Sequence, residues 1–126
     1  MKKLLILLFS ILISFNSFGE WKKVGENAGG TYYIDSEKIR EGNRYVYWWS
    51  LSDYKTPNSY GDMSSKVYNE TDCEVFRTRI LTGDYYEQPM GMGSSVNETS
   101  DNPKWIYPTP GSSREYVTKY ICDYIK

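Results

Sequence analysis

Between Arg44 and Tyr54 the chain places Tyr45, Val46, Tyr47, Trp48, Trp49 and Leu51 almost without interruption. Aromatic and β-branched residues favour the pleated backbone. Side chains of a strand alternate between two faces, so bulky residues at consecutive positions leave neither face polar. Such a strand has to be central in a sheet, or covered twice. Tyr47 and Trp48 then point to opposite faces, and the rest of the chain must supply what covers them.

Neighbouring segments supply partners. Glu20 to Val24, with Trp21, and Thr31-Tyr32-Tyr33-Ile34-Asp35 read as strands joined by the turn Glu26 to Gly30. Ser36 to Asn43 reads as a connection and Lys55 to Asp62 as a polar loop. Met63 to Asn69 alternates loosely and predicts a strand. Cys73 to Thr82, through Val75, Phe76, Ile80 and Leu81, predicts another. Gly83-Asp84 predicts a turn, and Tyr85 to Gln88 a short strand. Pro89 to Pro103, rich in Gly, Ser and Asn, predicts the longest and most mobile loop.

The C-terminal end changes period. Trp105, Pro108 and Pro110 mark an extended approach. Ser112 is a good N-cap, and Glu115 three residues on completes a capping-box pattern. From Arg114 to Ile125 a helix is predicted, with Val117, Ile121 and Ile125 on one side and Thr118 and Cys122 continuing it. The fold class is therefore α+β: an antiparallel sheet of about five or six strands with one C-terminal helix packed on it. One helix covers one face only, so Pro89–Pro103 or a second subunit is expected to cover part of the other.

The first residues bear on compartment. Lys2 and Lys3, the apolar run Leu4 to Phe15, and small residues Ser17 and Gly19 before Glu20 are the three parts of a secretory signal. Residues 1–19 are read as a removed signal peptide and residues 20–126 as a single domain. Leu4 to Phe15 is too short for a membrane span. No cysteine lies near the cut, so no lipid anchor is expected. The expected location is periplasmic, secreted or at the cell surface.

In an exported chain, Cys73 and Cys122 are most simply read as a disulfide, worth about 4 kcal/mol for so long a loop. The alternative is two free thiols, or a catalytic one, but the chain has no histidine to activate a thiolate. The same lack excludes Ser-His-Asp and Cys-His catalysis and the usual zinc site. No phosphate loop occurs, and no metal or cofactor is expected. The chain has 15 basic and 16 acidic residues, which argues against nucleic acid as partner. Asp35, Asp53, Asp62 and Asp84 could pair as hydrolytic carboxylates, but all sit at predicted strand ends or turns, where Asp is expected anyway. Binding rather than catalysis is the reading, and 13 Tyr with 4 Trp suit an interface.

Two groups of binding residues stand out. Arg77 and Arg79 share the strand side of Cys73, which should face the helix. There they either pair with Glu115 or Asp123, or form a basic spot with Lys66 for an acidic ligand. Tyr116, Tyr120 and Tyr124 make a helical stripe that covers the sheet edge or serves as a protein-contact or homodimer surface.

The ordered set of features resembles the bacterial surface-adhesin E family. The matching pieces are Trp21, Tyr32-Tyr33-Ile34-Asp35, Leu51-Ser52-Asp53-Tyr54, Ser65-Lys66, Cys73 with Arg77 and Arg79, then Trp105, Pro108, Pro110-Gly111-Ser112 and Cys122. The resemblance implies an antiparallel sheet, a C-terminal helix and a disulfide joining them. It also implies a protein ligand such as vitronectin or laminin of the host matrix and serum. The family's adhesin is a lipoprotein, and this chain departs from it in having no cysteine near the cut. The alternative function is a periplasmic accessory or inhibitor protein, lysozyme-inhibitor-like, with no adhesive role.

Overall fold

The computed structural model describes residues 21–126. The predicted signal peptide, residues 1–19, lies outside the described residues. Strands β1 (Trp21–Glu26), β2 (Gly30–Asp35), β3 (Arg40–Glu41), β4 (Val46–Tyr54), β5 (Ser64–Asp72), β6 (Arg77–Tyr86) and β7 (Ser95–Thr99) precede one helix, α1 (Ser113–Tyr124). They form one antiparallel sheet in the order β1-β2-β4-β5-β6-β7, with β3 pairing β4 beyond the end of β2. The α+β class holds, with seven strands rather than five or six. Strand β4 is interior as its composition requires, flanked by β2 and β5.

The core sits between the sheet and α1. Val24, Ile34, Val46 and Trp48 meet Val117 and Ile121 there. Full burial of one such side chain contributes about 1.5–3 kcal/mol. The helix approaches β1 closely because Gly25 carries no side chain: a Cβ there would lie 2.8 Å from the Tyr116 ring.

The helix start follows from local chemistry. Ser112 keeps extended backbone and its Oγ accepts the Glu115 N–H at 3.1 Å. Glu115 reaches back to the Gly111 N–H (3.1 Å), because the N–H of Ser112 already bonds the Thr109 carbonyl. The capping box is therefore displaced by one residue. Ser112→Ala is expected to cost about 1 kcal/mol, seen as a melting temperature about 4–8 °C lower in a calorimetric scan.

Three expectations are corrected. First, Cys73 to Phe76 is not strand but the turn between β5 and β6. The buried Asp72 carboxylate accepts the Val75 N–H (3.3 Å) and Arg77 Nε (3.2 Å), and Phe76 takes a left-handed φ of 60°, which closes the hairpin. Second, Gly83-Asp84 is not a turn: Gly83 pairs Val67 within β6, which runs unbroken through Tyr85 and Tyr86. Third, Pro89–Pro103 is not simply a loop. It holds a 3-10 turn, Pro89–Gly91, and strand β7, whose residues are all exposed and which adds to the edge of β6.

Cys73 and Cys122 are bonded, Cα to Cα 5.7 Å. The staple joins α1 to the β5–β6 turn, not to a strand. Among the described residues no helix is long and apolar enough to cross a membrane.

Candidate functional site: the helix-free face of the sheet

Strand alternation puts Val46 and Trp48 under the helix, and Tyr47, Trp49 and Leu51 on the opposite face. Cross-strand register extends that face into rows. Tyr33, Leu51, Lys66 and Asp84 lie in line; Trp49, Tyr68 and Thr82 form the next row; Tyr47, Glu70 and Arg79 follow; Asp72 and Arg77 close it. Rings pack along the rows: Trp49 and Tyr68 have centroids 4.9 Å apart, Tyr47 and Tyr68 6.2 Å. All four rings Tyr33, Tyr47, Trp49 and Tyr68 are half-buried with no helix above them.

Arg77 and Arg79 therefore face away from the helix, which corrects the sequence expectation. Their partners are not Glu115 or Asp123. Arg79 Nε bonds Glu70, and Arg77 Nε bonds Asp72 at 3.2 Å, where Arg44 Nη2 adds a third contact at 3.3 Å. The parity argument failed because the Cys73–Phe76 turn interrupts the alternation that would have linked Cys73 to Arg77.

Trp105 completes the face. Ile106 exchanges two backbone hydrogen bonds with Thr78 (2.7 and 3.0 Å), which seats the preceding residue over the hairpin. The indole then lies against both guanidiniums, 4.3 Å from Arg77 Cζ and 4.2 Å from Arg79 Cζ, within cation–π range, and 5.2 Å from the Tyr45 ring. The Tyr47 phenol is pushed up to about 12, first by its hydrogen bond to the Glu70 carboxylate and then by burial. It stays a neutral donor over the whole physiological range.

The other end of the face carries Lys66. Its Nζ lies 5.2 Å from the Tyr86 ring and 5.8 Å from that of Trp21, and it has no ion pair among the described residues. It is four residues along β5 from Glu70, roughly 13 Å from the arginine end at strand spacing. The 3-10 turn covers this end, through Met90 N–H to Asp53 Oδ1 and Gly91 N–H to Ser64 Oγ, both 2.8 Å. Part of Pro89–Pro103 thus covers the second face, one of the two covers expected.

The tyrosine stripe lies elsewhere. Tyr116 and Tyr124 are 58% and 51% exposed on α1, while Tyr120 packs at the margin of the core beneath Lys22. Tyr116 rests on β1, the edge strand. The six predicted residues thus fall on two separate surfaces. Of the four aspartates, Asp53 accepts from Met90, Asp84 from Asn97, Asp62 from Asn58 and Asp35 from Glu37, so each has a structural acceptor role.

Trp49, Tyr68, Glu70, Asp72 and Trp105 were not singled out as site residues. A hairpin centred on Glu74-Val75 pairs position 72 with 77 and 70 with 79, so the two acid–arginine pairs were readable once the turn was recognised. Trp105 had no such local signal.

Fold and face together define a small α+β domain that presents an aromatic, helix-free sheet face and holds its C-terminal helix by a disulfide. The chain belongs to the surface-adhesin protein E family, whose model matches residues 21–123. Its fold is similar to that of Haemophilus influenzae protein E in crystal form II, at 22% identity over 84% of this chain and 90% of that one, TM-score 0.63. Protein E from non-typeable Haemophilus influenzae gives 19% identity over 82% and 75%, TM-score 0.56. No curated protein sequence matches the chain.

Proposed function

We propose that the protein is exported by residues 1–19 and binds a protein ligand, without catalysis, through the helix-free face. The ligand class is host matrix or serum protein. The observation that carries this reading is the half-buried aromatic band that ends in the Trp105–Arg77–Arg79 cluster. Tyr, Trp and Arg dominate binding energy at interfaces. The arginines are already held by Glu70 and Asp72, so little rotamer freedom is lost on contact. Membership of a surface-adhesin family and an intact disulfide both support a location outside the cytoplasm.

The test is solid-phase binding of the oxidised protein to vitronectin and laminin. Trp105→Ala and Lys66→Glu should each weaken saturable binding tenfold or more, with melting curves confirming the fold. Tyr116→Ser and Tyr124→Ser should leave it unchanged. Equal losses from the helix variants, or no saturable binding by folded protein, would refute this face as the interface. Osmotic-shock release of the protein, with no surface protease sensitivity, would instead favour a periplasmic role.

A further inference from the structure

Helix α1 covers only part of its own side of the sheet. It lies nearest β1, and beyond its first turns a half-open cavity of about 300 Å3 remains over β4, β5 and β6. The helix-side positions of β4 run Val46, Trp48, Ser50, Ser52; those of β5 opposite them run Thr71, Asn69, Val67, Ser65. Under the helix the row pairs Val46 with Thr71 and Trp48 with Asn69. Under the cavity the floor sets hydroxyl and amide groups of Ser50, Ser52, Ser65 and Asn69 beside Val67 and Ile80. A domain this small needs apolar burial, so polar groups at that place have to be hydrogen-bonded, by one another or by a ligand.

The floor is a built network. Tyr54 Oη donates to Ser65 Oγ at 2.8 Å, and Asn69 Nδ2 donates to Ser50 Oγ at 3.1 Å and to the Val67 carbonyl at 3.2 Å. Ser65 and Asn69 are 3% and 6% exposed. From the helix, Thr118 lines the same cavity; it is 1% exposed and its Oγ1 has no hydrogen-bond partner among the described residues. Buried hydroxyls are almost always paired, and an unpaired one costs about 1–3 kcal/mol.

The walls and rim narrow the ligand. Tyr32, Tyr54 and Tyr85 present rings. Ser113 and Arg114 bring the first turn of α1, whose N–H groups have no intrahelical acceptor. The Arg114 side chain is exposed and makes no ion pair among the described residues. Among the described residues no Asp or Glu lines the cavity, so an ammonium group would go unpaired there, which disfavours cations and zwitterionic amino acids. A purely aliphatic ligand would make no use of the hydroxyls of Ser50, Ser52 and Ser65. The volume is at the low end for small-molecule sites.

We propose that this cavity binds a single sugar ring carrying one carboxylate, a hexuronate. Ring hydroxyls meet the Ser50–Asn69–Ser65 floor, C–H faces lie on the tyrosine walls, and the carboxylate lies at Arg114 and the amides of Ser113 and Arg114. The site is on the opposite side of the sheet from the aromatic face and does not depend on it.

The experiment titrates the full chain, disulfide intact, with glucuronate and galacturonate, followed by saturation-transfer NMR and calorimetry. Glucose, galactose and acetate serve as comparisons. Saturable hexuronate binding is expected, with neutral hexoses at least tenfold weaker and acetate unable to compete. Ser113→Pro removes one amide at a helix position that accepts proline. Like Arg114→Gln, it should weaken hexuronate about tenfold without changing hexose binding. Ser52→Ile should fill the cavity and abolish both; if that variant fails to fold, Arg114→Gln decides alone. No saturation at tens of millimolar, equal affinity for neutral hexoses, or full retention in Arg114→Gln would each overturn the assignment.

Discussion

Replacing both Cys73 and Cys122 with alanine is expected to lower the unfolding free energy by about 4 kcal/mol. The bond closes a loop of 49 residues that runs through β6, the 3-10 turn, β7 and most of α1. Opening it returns that loop's freedom to the unfolded chain. Small domains are stable by only about 5–15 kcal/mol, so the loss is a large fraction of the whole. The helix suffers first, because beyond the staple it is held mainly by Val117 and Ile121 against Val24, Ile34 and Trp48. Urea titrations followed by circular dichroism, with the oxidised wild type beside the double variant, measure the difference. A change below about 1 kcal/mol would mean that apolar contact alone fixes the helix. Reduction of the wild type should reproduce the effect of the double variant, since neither form then carries the cross-link.

Asp72→Ala is expected to cost about 1–3 kcal/mol at neutral pH, since it leaves the Val75 N–H and the partly exposed guanidiniums of Arg44 and Arg77 without their acceptor. The Asp72 side chain has no exposed surface. Burial by itself pushes its carboxyl up, but the Val75 N–H, Arg44 and Arg77 together outweigh that and hold it below the ordinary 3.8. A carboxyl lowered in the folded state contributes stability above its unfolded value. That contribution disappears as pH falls through the folded value. Wild type and variant should therefore differ most above the ordinary carboxylate value of 3.8 and draw together as pH falls below it, through the lower folded value. The same urea experiment across pH checks this; a gap independent of pH would show that the loss is steric. Because Asp72 also shapes the Cys73–Phe76 turn, the variant should form the disulfide more slowly on refolding.

Much of the architecture was legible because it depends on local pattern. The aromatic run Tyr45–Leu51 announced an interior strand, and Ser112 with Glu115 announced the helix start to within one residue. Strand β7 was not legible: Ser95–Thr99 has no buried position, so no hydrophobic alternation marks it. It exists because β6 offers an open row of backbone groups and Asn97 ties into it through Thr82, Gly83 and Asp84. Gly83 misled for a related reason. Gly-Asp is turn chemistry in isolation, yet here the glycine lies beneath the Tyr85 ring, where a Cβ would come within 3.3 Å of it.

The candidate face was only half legible. Arg77 and Arg79 were expected to face the helix and lie on the opposite side of the sheet, Lys66 stands at the far end of that face, and Trp105 was left outside the expectation. The amino-acid order by itself determined that β1, β2, β4 and β5 are strands, where the helix begins, and that the two cysteines are available to each other. Tertiary structure alone decided which side of the sheet the arginines occupy and what lies on them. The physical reason is that side-chain alternation carries direction only along unbroken strand. It is lost at the Cys73–Phe76 turn and at the β5–β6 irregularity between Tyr68 and Asn69. Past such a point only the register with a neighbouring strand can restore it.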